Sequence, residues 1–258
     1  MSAHFILYVK GSKMKRSLLA LLALIAVNPT FAAEGTQFDW SYAEHTAPEH
    51  WADIKSEYQS CEGLNQSPIN IKDTIQAELP ALKLNYDSKT ETIINNNRTI
   101  QINFNEGSTL ELDHKIFHLK QFHLHSPSEN TIQGKSYAME MHLVHATEDG
   151  ELAVIAIMFE QGQENKKLKQ LWKELPKKAG QVVQLKYQDL AAAFLPEHLD
   201  YYRFSGSLTT PPCSEGVRWI VLKDIQQASK KQIKAFSSLL EYPNNRPVQP
   251  TNARLVLE

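Results

Sequence analysis

The sequence predicts a mainly β protein with peripheral helices, built as a single domain around a large, mostly antiparallel sheet. Two observations lead to this fold class. Several runs rich in β-branched and aromatic residues follow one another through the middle of the chain, and short turn-like segments such as NEGS and TEDGE separate them. Strands joined by such short turns pair most simply with their antiparallel neighbours.

The predicted strands share alternating or continuous apolar residues, as expected where side chains alternate between the two faces of a sheet. They are residues 99–104, 108–113, 116–125, 137–146 and 152–160. Their number and short spacing favour one large sheet over several small ones.

Two helices are predicted outside this region. The first covers residues 164–178, where apolar residues recur at helical spacing and Pro176 marks the end. The second runs from about Gln226 to Leu240, with Ile233 and Phe236 on one side. Both helices are amphipathic, so we expect them to pack on the periphery of the sheet.

The N-terminus has the pattern of a secretory signal peptide. Lys15 and Arg16 precede an apolar run, residues 18–27, which is too short to span a membrane comfortably. The small residues Thr30 and Ala32 suit cleavage after Ala32 or the residue that follows it. This pattern predicts export to the periplasm or the extracellular medium.

We therefore expect residues 1–32 to be removed and residues 33–258 to form one domain. Met14 is the predicted start of translation, and an unusually long leader is the alternative. No linker rich in Gly, Ser or Pro divides the remaining chain, whose length suits one large domain.

Cleavage would leave an acidic chain. Of 27 Lys and Arg residues, four lie in residues 1–32, which contain no acidic residue. The remaining chain therefore has 23 basic and 29 acidic side chains. This balance does not favour nucleic acid as a partner. We expect no stable membrane span after cleavage, and either a monomer or a homodimer.

Cys61 and Cys213 both remain after cleavage. A single disulfide is the expected state of two cysteines in an oxidising compartment, and two buried free thiols are the alternative. In the chain-entropy model, closing so long a loop stabilises the fold by about 4–5 kcal/mol. A bridge would also tether the segment around Cys213.

The segment QFHLHSPSEN places two histidines on one face of a predicted strand. Alternate residues of a strand lie about 6.6 Å apart on the same side, so Gln121, His123 and His125 project together. The next predicted strand places Glu140 and His142 on one face, and a hairpin-like return would set His142 opposite the first pair. Three neutral imidazoles without a fourth protein ligand are typical of a catalytic zinc site.

Gln121 and Glu140 each precede a candidate ligand by two residues. Ligand imidazoles need hydrogen-bond acceptors that fix their tautomer, so we expect these side chains to orient His123 and His142. The alternative is that all of these are ordinary strand histidines. Six further histidines are expected to be structural or exposed: His45, His50, His114, His118, His145 and His198.

Five separated segments resemble the alpha-class carbonic anhydrases of the exported bacterial type. They are CEGLNQSPINI (61–71), QFHLHSPSEN (121–130), AMEMHLVH (138–145), YRFSGSLTTPPCSEGVRWIVL (202–222) and NNRPVQP (244–250). The resemblance extends from about Trp40 to Arg254. It implies a single domain around a large, mostly antiparallel twisted sheet.

The resemblance implies one catalytic Zn²⁺, held by His123, His125 and His142. Gln121 and Glu140 would form hydrogen bonds to these ligands without binding the metal. The implied enzyme is a carbonic anhydrase, also called carbonate dehydratase, a zinc lyase. Its reaction is the reversible hydration of carbon dioxide to bicarbonate and a proton, by attack of zinc-bound hydroxide.

The resemblance also implies that the Thr209 hydroxyl accepts a hydrogen bond from this hydroxide and donates one to Glu129. Thr209 would thereby aim the hydroxide at the substrate carbon. The positions that match the substrate pocket are mainly apolar, as suits a small uncharged molecule. They are Val144, Val154, Leu208, Thr210, Val217 and Trp219.

The run NNNR departs from the family pattern, because many members have a histidine that relays protons at the position of Arg98. A guanidinium stays protonated in proteins, so a proton shuttle at Arg98 is doubtful. Tyr42 and Asn96 match residues that order the connecting waters. We expect slow turnover in weak buffer, with His118 and His45 as candidates to replace the missing histidine.

Two other functions stay open at this point. A zinc hydrolase could cleave esters with the same hydroxide, although the His-Glu-x-x-His motif of zinc proteases is absent. A catalytically inactive binding or adhesion module could use the same fold, although such relatives usually lack one or more of the zinc histidines. A metal-sequestering protein fits an apolar pocket less well.

Overall fold

The computed structural model describes residues 39–258 of the chain. The predicted signal peptide and its cleavage site lie outside these residues. Within residues 39–258, a twisted mixed sheet of eleven strands dominates and the helices are short. The predicted fold class, mainly β with peripheral helices, is confirmed.

The strands of this part of the chain follow in sequence order. They are β1 (Asn70–Ile71), β2 (Lys83–Asn85), β3 (Thr90–Asn95), β4 (Ile100–Phe104), β5 (Thr109–Leu112), β6 (Lys115–His125), β7 (Thr131–Ile132), β8 (Met139–Ala146), β9 (Leu152–Gln161), β10 (Val182–Gln184), β11 (Tyr201–Ser207), β12 (Glu215–Leu222) and β13 (Gln226–Ala228). The five predicted strands correspond to β4, β5, β6, β8 and β9, with ends that differ by one or two residues.

The main sheet has the order β10-β3-β4-β6-β8-β9-β12-β11, and β5 joins it beside β6 and pairs β2. Most neighbours are antiparallel, but β9 pairs β12 and β13 in parallel. β1 and β7 form a separate parallel pair. β6 and β8 therefore lie near the middle of the sheet, where strands on both sides hold the backbone in place.

The α-helices are α1 (Trp51–Ile54), α2 (Lys166–Leu171) and α3 (Lys230–Ser237), and the 3₁₀ helices are Glu44–Thr46, Pro48–His50, Ser56–Glu62 and Ala192–Phe194. α2 is shorter than predicted, since it already ends at Leu171. The prediction that the last helix begins at about Gln226 is wrong. Residues 226–228 pair with β9, and Ser229 then starts α3 with a capping box that includes Gln232.

β9 is buried on both of its faces, which explains its nearly continuous apolar sequence. Ile155 and Ile157 belong to a large apolar cluster on one face of the sheet. Val154 and Met158 belong to a second cluster on the other face, with Trp219 of β12. The candidate metal site lies beside this second cluster.

Candidate metal centre

Three histidines meet on the face of β6 and β8 that carries the second cluster. In the antiparallel register of these strands, His123 is directly opposite His142 and His125 is opposite Glu140. The three ring centroids are 4.6–5.3 Å apart. One nitrogen of each ring lies within 4.8 Å of one nitrogen of each of the others, close enough to hold a metal ion.

The nitrogens that face away from this point have polar partners. Nδ1 of His123 lies 2.9 Å from Oε1 of Gln121, and Nδ1 of His125 lies 2.6 Å from the main-chain oxygen of Asn244. In both rings a proton on Nδ1 then leaves Nε2 with its lone pair free. His142 has the opposite arrangement, because its Nε2 is 2.9 Å from Oε1 of Glu140.

Glu140 is itself held by three donors. Its Oε2 accepts from the backbone N–H groups of Glu129 and Asn130, at 2.7 and 2.8 Å, and its Oε1 accepts from the Asn130 amide at 2.7 Å. These bonds orient the carboxylate towards His142. They also join the loop that carries Glu129 to the strand that carries a candidate ligand.

Burial makes two of the rings poor bases. The pKa of His123 is lowered to about 3 by desolvation, with His142 adding to the effect, although part of the ring remains exposed. Burial also lowers the pKa of His125 well below its ordinary value. For His142 burial is the largest single effect and lowers the pKa, but the charge and hydrogen bond of Glu140, with the charge of Glu129, outweigh it and raise the pKa.

Glu129 is buried beside the histidines. Its Oε1 accepts the backbone N–H of Arg246 at 2.9 Å, and its Oε2 lies 3.4 Å from Nε2 of His125. Among the described residues, Oε2 has no hydrogen bond of ordinary geometry. Burial raises the pKa of Glu129 to about 7, opposed by His142, the Arg246 N–H and the Thr209 side chain. The Thr209 side chain is thus close enough to lower the pKa of Glu129, although the two groups do not form a hydrogen bond of ordinary geometry.

A cavity of about 250 Å³ opens beside His123 and His125. Its lining includes Gln121, Thr210 and the three residues predicted for the proton path, Tyr42, Asn96 and Arg98. Arg98 donates to the main-chain oxygen of Trp40 and lies over the Trp40 ring, with 5.2 Å between the guanidinium carbon and the ring centroid. The cavity lining therefore carries a cation at the position where the family pattern has a histidine.

The apolar residues predicted for the substrate pocket lie together, but they do not line this cavity. Val154, Val217 and Trp219 are members of the second cluster, and Val144 and Leu208 pack against it. The Trp219 ring lies 4.9 Å from the His142 ring, centroid to centroid. The cluster thus reaches the metal centre from the side of β8 and β12, and the described cavity opens on the side of β4 and β6.

The remaining histidines lie apart from this centre. His118 is opposite Ala146 at the other end of the β6 and β8 pair. Since it is five residues before His123 on a strand, it is about 16 Å away along the strand, and it does not line the cavity beside His123. His45 is exposed in the 3₁₀ helix Glu44–Thr46 and does not line the cavity. His145 is buried, with its Nε2 2.6 Å from the Tyr86 hydroxyl.

Cys61 and Cys213 form the expected disulfide, with their Cα atoms 4.9 Å apart. The bridge joins the 3₁₀ helix Ser56–Glu62 to the loop after β11, which carries Thr209. Both cysteines pack with Trp40 and Trp51 in a small buried cluster. A disulfide is in keeping with an oxidising compartment.

Sequence reasoning missed two residues of this centre. Asn244 presents its carbonyl to His125, and its side-chain oxygen accepts from the Ser126 N–H at 2.8 Å. Arg246 supplies the N–H that holds Glu129. Both belong to the NNRPVQP segment, but they lie more than 110 residues from their partners, and no local pattern points to them.

Comparison with known proteins identifies the family. The family model for eukaryotic-type carbonic anhydrase matches residues 46–258. A carbonic anhydrase of Klebsiella pneumoniae is 48% identical over 250 residues, which cover 95% of this chain and 100% of the relative.

Solved structures give the same result. The alpha-carbonic anhydrase of Thermovibrio ammonificans matches with a TM-score of 0.83 and 44% identity, covering 85% of this chain and 98% of that one. The Photobacterium profundum alpha-carbonic anhydrase matches with a TM-score of 0.80 and 49% identity, covering 85% and 100%. The chain therefore belongs to the family of eukaryotic-type, or alpha, carbonic anhydrases.

Proposed function

We propose that this chain catalyses the reversible hydration of carbon dioxide to bicarbonate, with one zinc ion bound by His123, His125 and His142. The observation that carries the proposal is the convergence of three imidazole nitrogens within 4.8 Å of one another on adjacent strands. The family supports the reaction, and this geometry supports the residues that perform it.

The three histidines fit zinc. Nε2 of His125 is buried and has no hydrogen-bond partner among the described residues, which is costly unless a ligand satisfies it. Imidazole nitrogen is a ligand that Zn²⁺ prefers, and three histidines with an open fourth position are the donor set of a catalytic zinc ion. Gln121, Asn244 and Glu140 hold the outer nitrogens, as partners of metal-bound histidines do.

Zinc in such a site lowers the pKa of a water molecule that it binds, so that hydroxide is available near neutral pH, a property for which carbonic anhydrases are the established example. The protein side chains supply orientation. The acceptors behind His123 and His125 keep each Nδ1 protonated and each Nε2 directed inwards. Glu140 would do the same for His142 through the other nitrogen, because its Oε1 lies 2.9 Å from Nε2.

Thr209 and Glu129 would select the orientation of the attacking group. With Oε1 of Glu129 held by the Arg246 N–H, Oε2 is the atom left to accept the Thr209 proton. A threonine whose proton is committed in this way is left only as an acceptor. The attacking hydroxide would donate its hydrogen to the Thr209 oxygen, so that one of its lone pairs points towards the substrate carbon.

The apolar cluster beside His142 would hold the substrate. Val217 and Trp219 are almost fully buried there, and Val144 and Leu208 complete the apolar surface. An apolar wall favours a small uncharged molecule such as carbon dioxide over its hydrated, charged product. Product release towards the cavity that Thr210 and Gln121 help to line fits the same arrangement.

We also propose that the mature protein comprises residues 33–258 and works in the periplasm or outside the cell. The predicted signal peptide and the Cys61–Cys213 disulfide support this location. Among residues 39–258, every helix is too short or too polar to cross a membrane.

The test is zinc content and carbon dioxide hydration of the purified mature protein, before and after dialysis against a chelator. We expect one zinc per chain, rapid bicarbonate formation, loss of both on dialysis and recovery with added Zn²⁺. Activity that survives complete removal of zinc would disprove the proposal. Cleavage of an activated ester by the same preparation, faster than hydration of carbon dioxide, would favour a zinc hydrolase instead.

A second measurement uses an inhibitor. The Thermovibrio ammonificans structure is described as a complex with the inhibitor sulfanilamide. We infer that sulfanilamide also inhibits this chain, and that the zinc-free protein does not bind it. Equal binding to the zinc-loaded and zinc-free forms, measured by calorimetry, would place the inhibitor away from the proposed centre.

A further inference from the structure

Arg246 is a buried cation behind the metal centre. Its side chain is among the largest that are fully buried, and its guanidinium lies 5.5 Å from the centre of the Trp51 ring. None of the ion pairs among residues 39–258 includes Arg246. Burying a charge without an ion pair is costly, and the compensation comes from oriented hydrogen bonds together with the nearby charge of Glu129.

These hydrogen bonds reach three points of one segment. Nη1 donates to Oε1 of Gln66 and to the main-chain oxygen of Ser67, both at 2.8 Å, and Nη2 donates to the main-chain oxygen of Cys61 at 2.7 Å. A planar guanidinium holds several acceptors in a fixed geometry, which the single ammonium of a lysine does not. Arg246 is therefore anchored to the segment that the disulfide joins to Cys213.

The backbone of Arg246 contacts Glu129, one of the two proposed catalytic residues. The Arg246 N–H donates to Oε1 of Glu129 at 2.9 Å. A guanidinium that is held at several points restricts the backbone to which it belongs. The position of this N–H, and with it the position of the Glu129 carboxylate, thus depends on the contacts of the side chain.

Gln66 extends the connection to the segment that carries Thr209. Its Nε2 donates to the main-chain oxygen of Cys213 at 3.1 Å and to Oε1 of Glu215 at 3.0 Å. Its Oε1 accepts from Arg246 and lies 3.4 Å from the hydroxyl of Ser207, whose proton also points to the main-chain oxygen of Leu208 at 2.7 Å. Ser207 and Cys213 flank Thr209, so one amide contacts both sides of the segment that presents it.

We infer that Arg246 is a positioning residue for carbon dioxide hydration. Its backbone N–H holds the Glu129 carboxylate, and its guanidinium, through Gln66, holds the segment that presents Thr209. The inference rests on the proposed function. Glu129 and Thr209 come from distant parts of the chain and must meet within hydrogen-bond distance in the loaded enzyme. Arg246 and the Gln66 amide form a direct protein link between the Glu129 carboxylate and the segment that carries Thr209.

The variant that tests the inference is Arg246→Lys, which keeps the positive charge and removes the planar set of donors. Arg254→Lys is the matched control. The Arg254 guanidinium also makes three hydrogen bonds, to the backbone carbonyls of Thr251, Ser205 and Pro250, but it makes no bond to Glu129 or Gln66. Both variants are measured as zinc-loaded full mature protein.

For Arg246→Lys we expect kcat to fall by about 10- to 100-fold, the range found when a hydrogen-bonding support of a metal site is removed, with little change in KM and one zinc per chain. Backbone amide exchange should accelerate at residue 246 more than at Leu143, in the middle of β8. A purely structural role predicts equal acceleration at both amides. Equal acceleration at both amides, or an unchanged kcat, would overturn the inference. A loss of activity in proportion to a loss of bound zinc would overturn it too.

Gln66→Met is a second variant that decides the question if Arg246→Lys does not fold. It leaves the Arg246 N–H and the metal ligands in place and removes the contacts of the Gln66 amide with Ser207, Cys213 and Glu215, together with its bond to Nη1 of Arg246. We expect a lower kcat at full zinc content, and faster amide exchange at Leu208, which donates to the Ser214 carbonyl at 3.0 Å. Unchanged kcat and exchange would overturn the inference.

The exchange measurements separate this inference from the proposed function. If the wild-type protein does not hydrate carbon dioxide, the proposed function fails and the positioning role fails with it, even where exchange shows that Arg246 restrains its own backbone. If the wild-type protein is active and the two variants are as active as Arg254→Lys, only the positioning role fails.

Discussion

His123 on β6 and His142 on β8 are directly opposite each other in an antiparallel pair, with their ring centroids 5.3 Å apart. The two strands are central in the sheet, so the distance between the rings is set by backbone hydrogen bonds on both sides. A metal ion bound between them meets a site whose geometry exists before binding. This rigidity is what a catalytic metal centre requires.

Replacing His142 by Ala should abolish zinc binding at one equivalent and reduce carbon dioxide hydration to background, because two imidazoles leave the ion without its third protein ligand. Zinc content by atomic absorption and hydration by stopped flow measure this. His118→Ala, on β6 but outside the site, is the control and should keep both properties. Full zinc content in His142→Ala would exclude this ligand set.

Acid should release zinc, because protons compete with the metal for the imidazole nitrogens. The pKa of His142 is raised, chiefly by the Glu140 carboxylate acting against burial, so this ring is the first of the three to protonate in the metal-free protein. Removing the carboxylate in Glu140→Gln should lower zinc affinity by about 10- to 100-fold. Zinc affinity measured by competition with a chelator between pH 6 and 8 tests this, and equal affinities would argue against the role of Glu140.

Thr209→Val should lower kcat/KM about a hundredfold with zinc content unchanged, since loss of the hydroxyl removes the orientation of the attacking group. Ser214→Ala, an exposed hydroxyl in the same loop, is the control and should retain wild-type kinetics. If Thr209→Val is as active as this control, the proposed pairing of Thr209 with Glu129 has no catalytic role.

Arg98→His should raise the rate in weakly buffered solution, because an imidazole titrates near neutral pH and a guanidinium does not. The wild-type protein should respond to added imidazole in the same assay, and the variant should respond less. Strong buffer should bring the two proteins to similar rates. If the substitution leaves the rate in weak buffer unchanged, the arginine at position 98 does not limit proton transfer.

The double variant Cys61→Ser, Cys213→Ser should lower the free energy of unfolding by about 4–5 kcal/mol in the chain-entropy model. It should also lose activity at temperatures well below its unfolding midpoint, because the bridge anchors the loop that carries Thr209. Urea unfolding and hydration assays on the same preparation separate the two effects. Unchanged values in both would show that the bridge neither stabilises the fold nor holds the loop.

His145 gives a prediction for stability against pH. Burial lowers the pKa of His145 to about 4, against 6.5 for an exposed histidine, so between these values the unfolded chain binds a proton that the folded chain does not. Stability should therefore be complete above about pH 6.5 and fall as the pH falls towards 4, by up to about 3 kcal/mol from this residue.

His145→Gln should remove this part of the pH dependence while keeping a polar partner for the Tyr86 hydroxyl. Free energies of unfolding from denaturant titrations of the zinc-free protein at several pH values measure the slope. His114→Gln, in an exposed turn, is the comparison. If His145→Gln has the same slope as wild type between pH 4 and 6.5, the buried ring is not the source.

What the sequence by itself determined follows from local periodicity. Because alternate residues of a strand share a face, the spacing of Gln121, His123 and His125 was enough to predict that they project together, and the register of β6 and β8 agrees. The strand assignments succeeded for the same reason. The last helix was predicted too long because Gln226–Ala228 pair with β9, and such pairing is not visible in the local pattern.

Only the tertiary structure decided which groups support these residues. The carbonyl at His125 belongs to Asn244, and the N–H at Glu129 belongs to Arg246, each more than 110 residues away in the chain. Backbone donors and acceptors carry no residue-specific signal, so composition and spacing do not reveal them. Their positions arise from the packing of loops around a rigid sheet, where every buried polar atom needs a partner.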